Sequence, residues 1–149
     1  MADRTVRLHR VLKAPAERVY RAFLDPDALV KWLPPNGFTG KVDHVQGSIG
    51  GTFKMSFANF NGGGGHPFGG KYLELVPGKR LRYTNEFDDP GLGGAMETAV
   101  SIEEASFWSH LTIVQSNIPV PIPLEACYVG WQQSLELLAR LVEAEVPRG

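Results

Sequence analysis

Hydrophobic positions near the start of the chain change their spacing once, at Pro15. Residues 5–12 alternate between apolar and polar side chains, which predicts a half-buried β-strand. After Pro15, which suits the first turn of a helix, apolar residues recur every three or four positions until Asp25-Pro26. Asp25 is placed to cap a second short helix. Two small helices are therefore predicted to follow the first strand.

Extended segments separated by turn signals fill the stretch from 39 to 117. Apolar side chains alternate within them, as at Phe53, Met55 and Phe57, so each segment offers one apolar face. Turns recur about every ten residues, which is typical of an antiparallel meander. Six strands are predicted, at residues 40–46, 51–60, 66–76, 80–87, 95–103 and 107–116.

A long amphipathic helix is predicted near the C-terminus. Its apolar stripe follows gaps of three and four residues, with polar side chains on the other side. The stripe consists of Leu124, Cys127, Tyr128, Trp131, Leu135, Leu138 and Val142. Gly130 lies in the middle of the helix, where glycine costs about 1 kcal/mol relative to alanine. A close backbone approach, room for a ligand or a tolerated neutral glycine would each explain it. This helix can cover the apolar face of the sheet.

Composition and charge exclude several classes of function. The chain has 149 residues and a formal net charge of -1, so it offers no basic field for nucleic acid or an anionic membrane. No segment approaches the roughly 20 apolar residues that a membrane span requires. The single cysteine, Cys127, cannot form an internal disulfide, and the N-terminus opens with charge. We expect one domain over residues 1–149, located in the cytoplasm.

Several segments, in order, resemble a known family. They are 14–23 with Asp25-Pro26 and Trp32, then 50–53, 70–77 with Arg80-Leu81, and Gly130-Trp131 with Leu135 and Leu138. Together they are similar to the SRPBCC (START and birch-pollen-allergen-like) superfamily, in the subgroup related to the C-terminal domain of the activator of heat-shock protein 90 ATPase.

The resemblance implies an α+β helix-grip fold. In that fold a curved antiparallel sheet of about seven strands wraps around the long C-terminal helix and an apolar cavity. Co-chaperone members of the subgroup carry a separate N-terminal domain, for which this chain offers no residues, so the heat-shock activity is not expected to carry over. A family of this kind indicates a fold more firmly than a function.

No catalytic, metal or phosphate motif is readable. The glycine run at 61–65 lacks the Lys-Ser/Thr and the following helix of a phosphate loop, so a flexible hairpin tip is predicted. Cys127 falls in an apolar stripe, where an inert thiol is expected. The four histidines lie on different segments without metal-ligand spacing: His9, His44, His66 and His110. We predict no metal and no cofactor.

A small-molecule pocket is the site that the pattern favours. Its predicted apolar lining is Trp32, Phe53, Met55, Phe57, Tyr83 and Trp131. Polar side chains that alternation also points inward are Arg10, Asn59, Asn85, Gln115 and Tyr128. Buried without partners, each would cost about 1–3 kcal/mol, so they must pair with one another, with water or with a ligand. Gln115 and Tyr128 are included in the predicted cavity.

Three functions remain open at this stage. The first is a binding module that holds a small hydrophobic or amphipathic molecule between sheet and helix. The second is a cyclase-type or dehydratase-type enzyme, which would need an ionisable pair with displaced pKa values in the same cavity. The third is a protein-interaction or homodimer surface on the outer sheet face, where Trp108 and Val114 alternate opposite to Phe107, Leu111 and Ile113.

Overall fold

Seven strands and three helices follow one another in the order predicted from the sequence. The structure, a computed structural model, describes residues 4–63, 65–89, 91 and 94–147. The elements are β1 (Val6–Leu12), α1 (Ala16–Ala22), α2 (Pro26–Trp32), β2 (Phe38–Val45), β3 (Thr52–Asn59), β4 (Gly65–Val76), β5 (Arg80–Phe87), β6 (Met96–Ala105), β7 (Trp108–Ser116) and α3 (Leu124–Val142). The predicted α+β helix-grip architecture is confirmed.

All seven strands form one antiparallel sheet. Their order is β1-β7-β6-β5-β4-β3-β2, so β2 to β7 form a meander and β1 returns to pair with β7. The register places Val6 opposite Gln115, and Gln115 opposite Thr98 of β6. These side chains lie on the inner face of the curved sheet, since residues directly opposite one another share a face. The inner face also carries the apolar core.

The second short helix begins at the predicted residue, and the first begins one residue after Pro15, which was predicted to lie in its first turn. Pro15 takes an extended conformation just before α1, and the Asp25 carboxylate accepts a hydrogen bond of 2.9 Å from the Asp27 N–H at the start of α2. This is the usual role of an aspartate at the N-terminal cap. The Trp32 ring is fully buried, and its Nε1 donates to the Ala22 carbonyl at 2.9 Å. Trp32 therefore joins the two helices.

Helix α3 has 19 residues and packs most closely on β1, α1 and α2. Its C-terminal half supplies the fully buried contacts, at Leu135, Leu138, Ala139 and Val142. A salt bridge of 3.0 Å between Arg10 of β1 and Glu136 of α3 lies at this junction. The N-terminal half is only half-buried and leaves space above the sheet. Within the described residues, no helix has both the length and the apolar character needed to cross a membrane.

Strand β4 lies in close contact with both neighbouring strands at Gly69-Gly70. A Cβ atom on Gly70 would lie 1.7 Å from the Thr84 carbonyl oxygen and 2.9 Å from the Phe53 ring. No side chain fits there without a shift of the backbone, and β4 also changes register against β5 between Tyr72 and Glu74. Glycine in a strand interior commonly marks such a close approach.

Two positions differ from the alternation prediction. Phe107 was expected on the inner face with Leu111 and Ile113, but it lies in the β6–β7 turn and its side chain is 87% exposed. Because β7 begins one residue later, at Trp108, the strand alternation does not extend to Phe107. Asn59 was expected to point inward and is exposed at the end of β3, where its Oδ1 accepts a hydrogen bond from the Asn61 N–H.

Replacing Gly70 with alanine should destabilise the fold. The added methyl group must displace the Thr84 carbonyl, so we expect Gly70→Ala to lower the free energy of unfolding by at least about 2 kcal/mol. Gly47→Ala is the control, because its Cβ would meet only the Leu24 side chain, at 3.9 Å. Urea denaturation of both variants measures the difference. Equal effects of the two substitutions would contradict the close approach at Gly70.

Candidate functional site

A pocket of about 300 Å³ lies where the N-terminal half of α3 stands above the sheet. Strands β3 to β7 form its floor, and residues from α1, α2 and α3 form its walls. Most lining side chains are aromatic or aliphatic, and a few are polar. The lining residues are Phe23, Leu29, Leu33, Pro35, Phe53, Met55, Phe57, His66, Phe68, Tyr72, Tyr83, Asn85, Phe87, Met96, Gln115, Cys127, Gly130, Trp131 and Ser134.

Aromatic rings on neighbouring strands pack against one another across the floor. The Phe53 ring lies 5.4 Å from Tyr72 and 5.7 Å from Tyr83 between centroids, the second pair edge to face. Phe57 and Phe68 are 4.9 Å apart in a similar arrangement. Such pairs are worth about 0.5–1.5 kcal/mol beyond the area they bury. The floor is therefore held in place by contacts within the sheet.

Helix α3 contributes a small-residue segment to the pocket wall. A Cβ atom on Gly130 would meet no heavy atom within 4 Å, so this glycine faces open space. Of the three explanations considered for Gly130, a close backbone approach is excluded. One turn further along, the Ser134 hydroxyl donates to the Leu33 carbonyl at 2.6 Å, which joins α3 to the end of α2.

A hydrogen-bonded row of polar side chains crosses the inner face beside the pocket. Trp131 Nε1 donates to Gln115 Oε1 at 3.1 Å, and Gln115 Nε2 donates to Thr98 Oγ1 at 3.3 Å. The Thr98 hydroxyl donates in turn to Asn85 Oδ1 at 2.8 Å. The register brings these groups together, because Thr98 lies opposite both Gln115 of β7 and Tyr83 of β5. We call Trp131, Gln115, Thr98 and Asn85 the polar row.

Burial shifts the titration of the phenols on the floor away from neutral pH. Desolvation, with a smaller contribution from Tyr20, raises the pKa of Tyr72 to about 12. Desolvation also raises the pKa of Tyr83, with Tyr72 adding to the effect and a hydrogen bond with Thr98 opposing it. Burial raises the pKa of the Cys127 thiol, and Arg4 opposes that shift. These three groups are therefore uncharged at neutral pH.

Metal-ligating side chains do not cluster in the described part of the chain, where no group of three or more His, Cys, Asp and Glu residues could hold an ion. The structure does bring together one pair that the sequence spacing did not indicate. His9 and His110 face each other across β1 and β7 on the outer face, with ring centroids 5.4 Å apart. His44 bonds to Asp43 and Thr52.

A comparison with known protein families identifies the family of this chain. The sequence profile of the family described as Activator of Hsp90 ATPase homolog 1-like protein matches residues 13–143. The chain belongs to this family. The resemblance to the SRPBCC superfamily inferred from the sequence is thereby confirmed.

Solved structures of relatives share the architecture. Protein CV1439 from Chromobacterium violaceum is 58% identical with a TM-score of 0.94, over 95% of this chain and 99% of that one. The Aha1 dimer from Colwellia psychrerythraea is 25% identical with a TM-score of 0.73, over 96% and 97% of the two chains. Protein NE0264 from Nitrosomonas europaea is 24% identical with a TM-score of 0.77, over 93% of each chain, and shares the fold alone. Comparison with curated proteins gave no match.

Six of the eight residues predicted for the site line the pocket in this family member: Phe53, Met55, Phe57, Tyr83, Gln115 and Trp131. Trp32 does not line it, because its ring is buried behind Phe23, to which it packs edge to face at 4.8 Å. Tyr128 does not line it either, since it lies on the flank of α3 and its hydroxyl is 3.4 Å from the Arg7 backbone N–H.

The apolar pattern of the sequence did not predict every residue of the pocket floor. Phe68 and Tyr72 of β4 both line the pocket, together with His66 at its exposed side. Their alternation was present in the sequence, but Gly70 stands between them on the same face and interrupts the apolar pattern. Among the polar candidates, Asn85 lies in the polar row, whereas Arg10 is paired with Glu136. Thr98, the centre of the row, was not considered because threonine is common in strands.

The raised tyrosine pKa values predict a loss of stability at high pH. In the unfolded chain each phenol titrates near pH 10, so it loses its proton there before the folded protein does. The contribution to stability is complete below pH 10 and declines as the pH rises toward 12, the folded pKa of Tyr72. We expect a slope of about 1.4 kcal/mol per pH unit per buried tyrosine.

Urea unfolding at pH 9, 10 and 11 measures this slope. The control is the Tyr72→Phe, Tyr83→Phe double variant, which lacks both phenols and should show a clearly smaller decline. If the two proteins decline in parallel, other groups cause the pH dependence and the phenols are not desolvated as described.

Proposed function

We propose that this protein binds a small, mainly apolar molecule in the pocket between α3 and the sheet. The observation that carries the proposal is the pocket itself, about 300 Å³ in volume and lined mostly by aromatic and aliphatic side chains. Small-molecule sites occupy roughly 300–1,000 Å³ and combine such a lining with a few oriented polar groups. Here the polar row supplies those groups. Gly130 supports the proposal, because it keeps space free where almost any other residue would occupy it.

Binding accounts for the lining better than catalysis does. A cyclase or dehydratase would need an acid or base whose pKa lies near the working pH. The phenols of Tyr72 and Tyr83 have their pKa values raised, away from neutrality, so neither accepts or releases a proton readily at pH 7. The half-buried, unpaired Cys127 supports a reducing compartment such as the cytoplasm as the place of binding.

Filling the space at Gly130 should abolish binding without loss of stability. In Gly130→Leu the side chain enters the pocket, and the helix gains about 1 kcal/mol from the removal of glycine. N-phenyl-1-naphthylamine, a neutral probe that fluoresces in apolar surroundings, should bind the wild type near 1:1 and the variant at least tenfold more weakly. Thermal unfolding should show the variant to be as stable as the wild type or more stable.

The matched control is Gln132→Leu, which adds the same side chain to the exposed face of α3. This variant should bind the probe as the wild type does. A wild type that takes up no probe, or a Gly130→Leu variant that binds it unchanged, would contradict ligand binding in this pocket.

Self-association through the outer sheet face is a second candidate function. Trp108, 48% exposed, and Val11 of β1, 38% exposed, lie on that face, and Phe107, 87% exposed, is next to Trp108 in the β6–β7 turn. We call them the outer patch. Clustered exposed aromatics of this kind are typical of interaction sites. The related structure from Colwellia psychrerythraea is described as a dimer, which supports a homodimer in this chain as well.

Polar substitution of the outer patch should weaken this association. We expect sedimentation velocity at about 100 µM to show dimers for the wild type and monomers for the Phe107→Ser, Trp108→Ser double variant. Phe60→Ser is the control, because Phe60 is 79% exposed and lies outside the patch. A monomeric wild type, or a double variant that still dimerises, would remove this candidate.

A further inference from the structure

The hydrogen bonds of the polar row all run in one donor-to-acceptor direction, which Trp131 sets. The indole nitrogen of Trp131 can only donate, so the Gln115 atom that it contacts must be the carbonyl oxygen. The amide nitrogen of Gln115 then points to Thr98 and donates to its hydroxyl oxygen. Thr98 has one hydroxyl proton, and Asn85 Oδ1 lies 2.8 Å from its oxygen as the acceptor. The Tyr83 phenol, which also contacts Thr98, has a proton of its own to donate. The Asn85 atom at this contact is therefore its carbonyl oxygen.

The row ends at the Asn85 amide nitrogen, Nδ2. With Oδ1 turned to Thr98, the two Nδ2 protons are available for another partner, and no acceptor within the described residues lies at hydrogen-bond distance from them. Within the described residues, Arg10 Nε is the only fully buried side-chain nitrogen or oxygen without a hydrogen-bond partner. Asn85 Nδ2 is therefore not fully buried. Asn85 lines the pocket, so its free donor is accessible from there.

The pocket offers little to neutralise a charge, since His66, at its exposed side, is the one lining residue with a basic side chain. None of its lining residues, all within the described part of the chain, is Lys, Arg, Asp or Glu. A charged group that enters an apolar site without a counter-charge loses its hydration and gains too little in return. A neutral acceptor, such as a carbonyl or ether oxygen, loses much less and gains the bond to Nδ2.

We propose that the pocket selects uncharged ligands that carry a hydrogen-bond acceptor, and that Asn85 Nδ2 is the donor that recognises it. This inference rests on the proposed function, because it requires that the pocket holds a ligand. It adds the ligand class and the residue that distinguishes one class from another.

Other donors in the lining are already engaged or differently placed. The Ser134 hydroxyl donates to the Leu33 carbonyl, and the Tyr83 phenol is hydrogen-bonded with Thr98. The Trp131 indole N–H is used by Gln115, which gives one of its own two Nε2 protons to Thr98. His66 lies at the exposed side of the pocket. Tyr72 is the remaining phenol; its ring packs against Phe53 and Tyr83, and it interacts with Tyr20. Asn85 is therefore the first position to test.

Three naphthalenes of similar shape separate acceptor strength from apolar contact. The ketone 2-acetylnaphthalene is neutral and has an acceptor, 2-isopropylnaphthalene is neutral without one, and 2-naphthoate is ionised at pH 7. Isothermal titration calorimetry gives their dissociation constants. For the wild type we expect the ketone to bind about threefold to tenfold more tightly than the hydrocarbon, the ratio that one net hydrogen bond supplies. The naphthoate should bind more weakly than the ketone.

Two substitutions at Asn85 remove the donor in different ways. Asn85→Leu replaces the amide with an apolar side chain of similar size. Asn85→Asp keeps the shape and the acceptor for Thr98 but has no N–H, so it tests the same point if the leucine variant does not fold. Both should bring the ketone-to-hydrocarbon ratio to about one or below. The matched control, Asn59→Leu, makes the same change at an exposed asparagine outside the pocket and should keep the wild-type ratio.

The outcomes separate this inference from the function on which it rests. If none of the three compounds binds the wild type, the proposed binding function fails and the inference with it. If the ketone and the hydrocarbon bind equally, ligand binding stands and the acceptor preference is overturned. A preference that survives both Asn85 substitutions assigns the donor to another residue, and tighter binding of naphthoate than of the ketone overturns the selection against charge.

Discussion

The structure depends on one geometric constraint: one long helix, helped by two short ones, has to cover the inner face of a seven-stranded sheet. At the usual strand spacing such a sheet is about 29 Å wide, whereas a helix with its side chains is only about 10 Å across. Helix α3 resolves the mismatch by packing tightly over β1 with its C-terminal half. The curvature of the sheet brings β3 and β4 to the same pocket as α3. The volume that neither element fills is the pocket, so the pocket follows from the architecture.

The polar row connects the N-terminal half of α3 to the sheet, whereas hydrophobic contacts hold its C-terminal half in place. Trp131 is the helix residue that reaches the sheet there, and its bond to Gln115 fixes the separation of helix and floor. Each further member of the row satisfies the next, so the cost of burying Thr98 and Gln115 is met within the protein. The last amide, Asn85, keeps both of its Nδ2 protons unused, whereas Gln115 uses one of its two for Thr98. Under the proposed function, structure and recognition draw on the same four side chains.

Element order, the meander of β2 to β7 and most of the floor could be predicted from the sequence, because period-two and period-3.6 patterns report which face of an element is apolar. A single sheet of about seven strands around α3 was what the family resemblance implied. The errors arise where knowing the apolar face of an element does not tell which residues that face contacts. Trp32 is apolar and inward, yet it packs behind Phe23, because the angle between two short helices is not encoded in either pattern. Tyr128 belongs to the stripe of α3 but lies on its flank. The prediction for Phe107 was wrong for a different reason: β7 begins at Trp108, so the strand alternation does not extend to Phe107.

Trp131 of α3 sets the direction of the hydrogen bonds in the polar row, although the amide at the other end, Asn85, belongs to the sheet. An aromatic ring without an N–H at position 131 would release the Gln115 amide, and Gln115, Thr98 and Asn85 could then reverse together. Asn85 would present its oxygen, and the same pocket, with unchanged volume and walls, would favour donors over acceptors. Under the proposed selectivity, one substitution at position 131 would therefore switch the preferred ligand chemistry, through a residue on the other side of the row from the amide that changes.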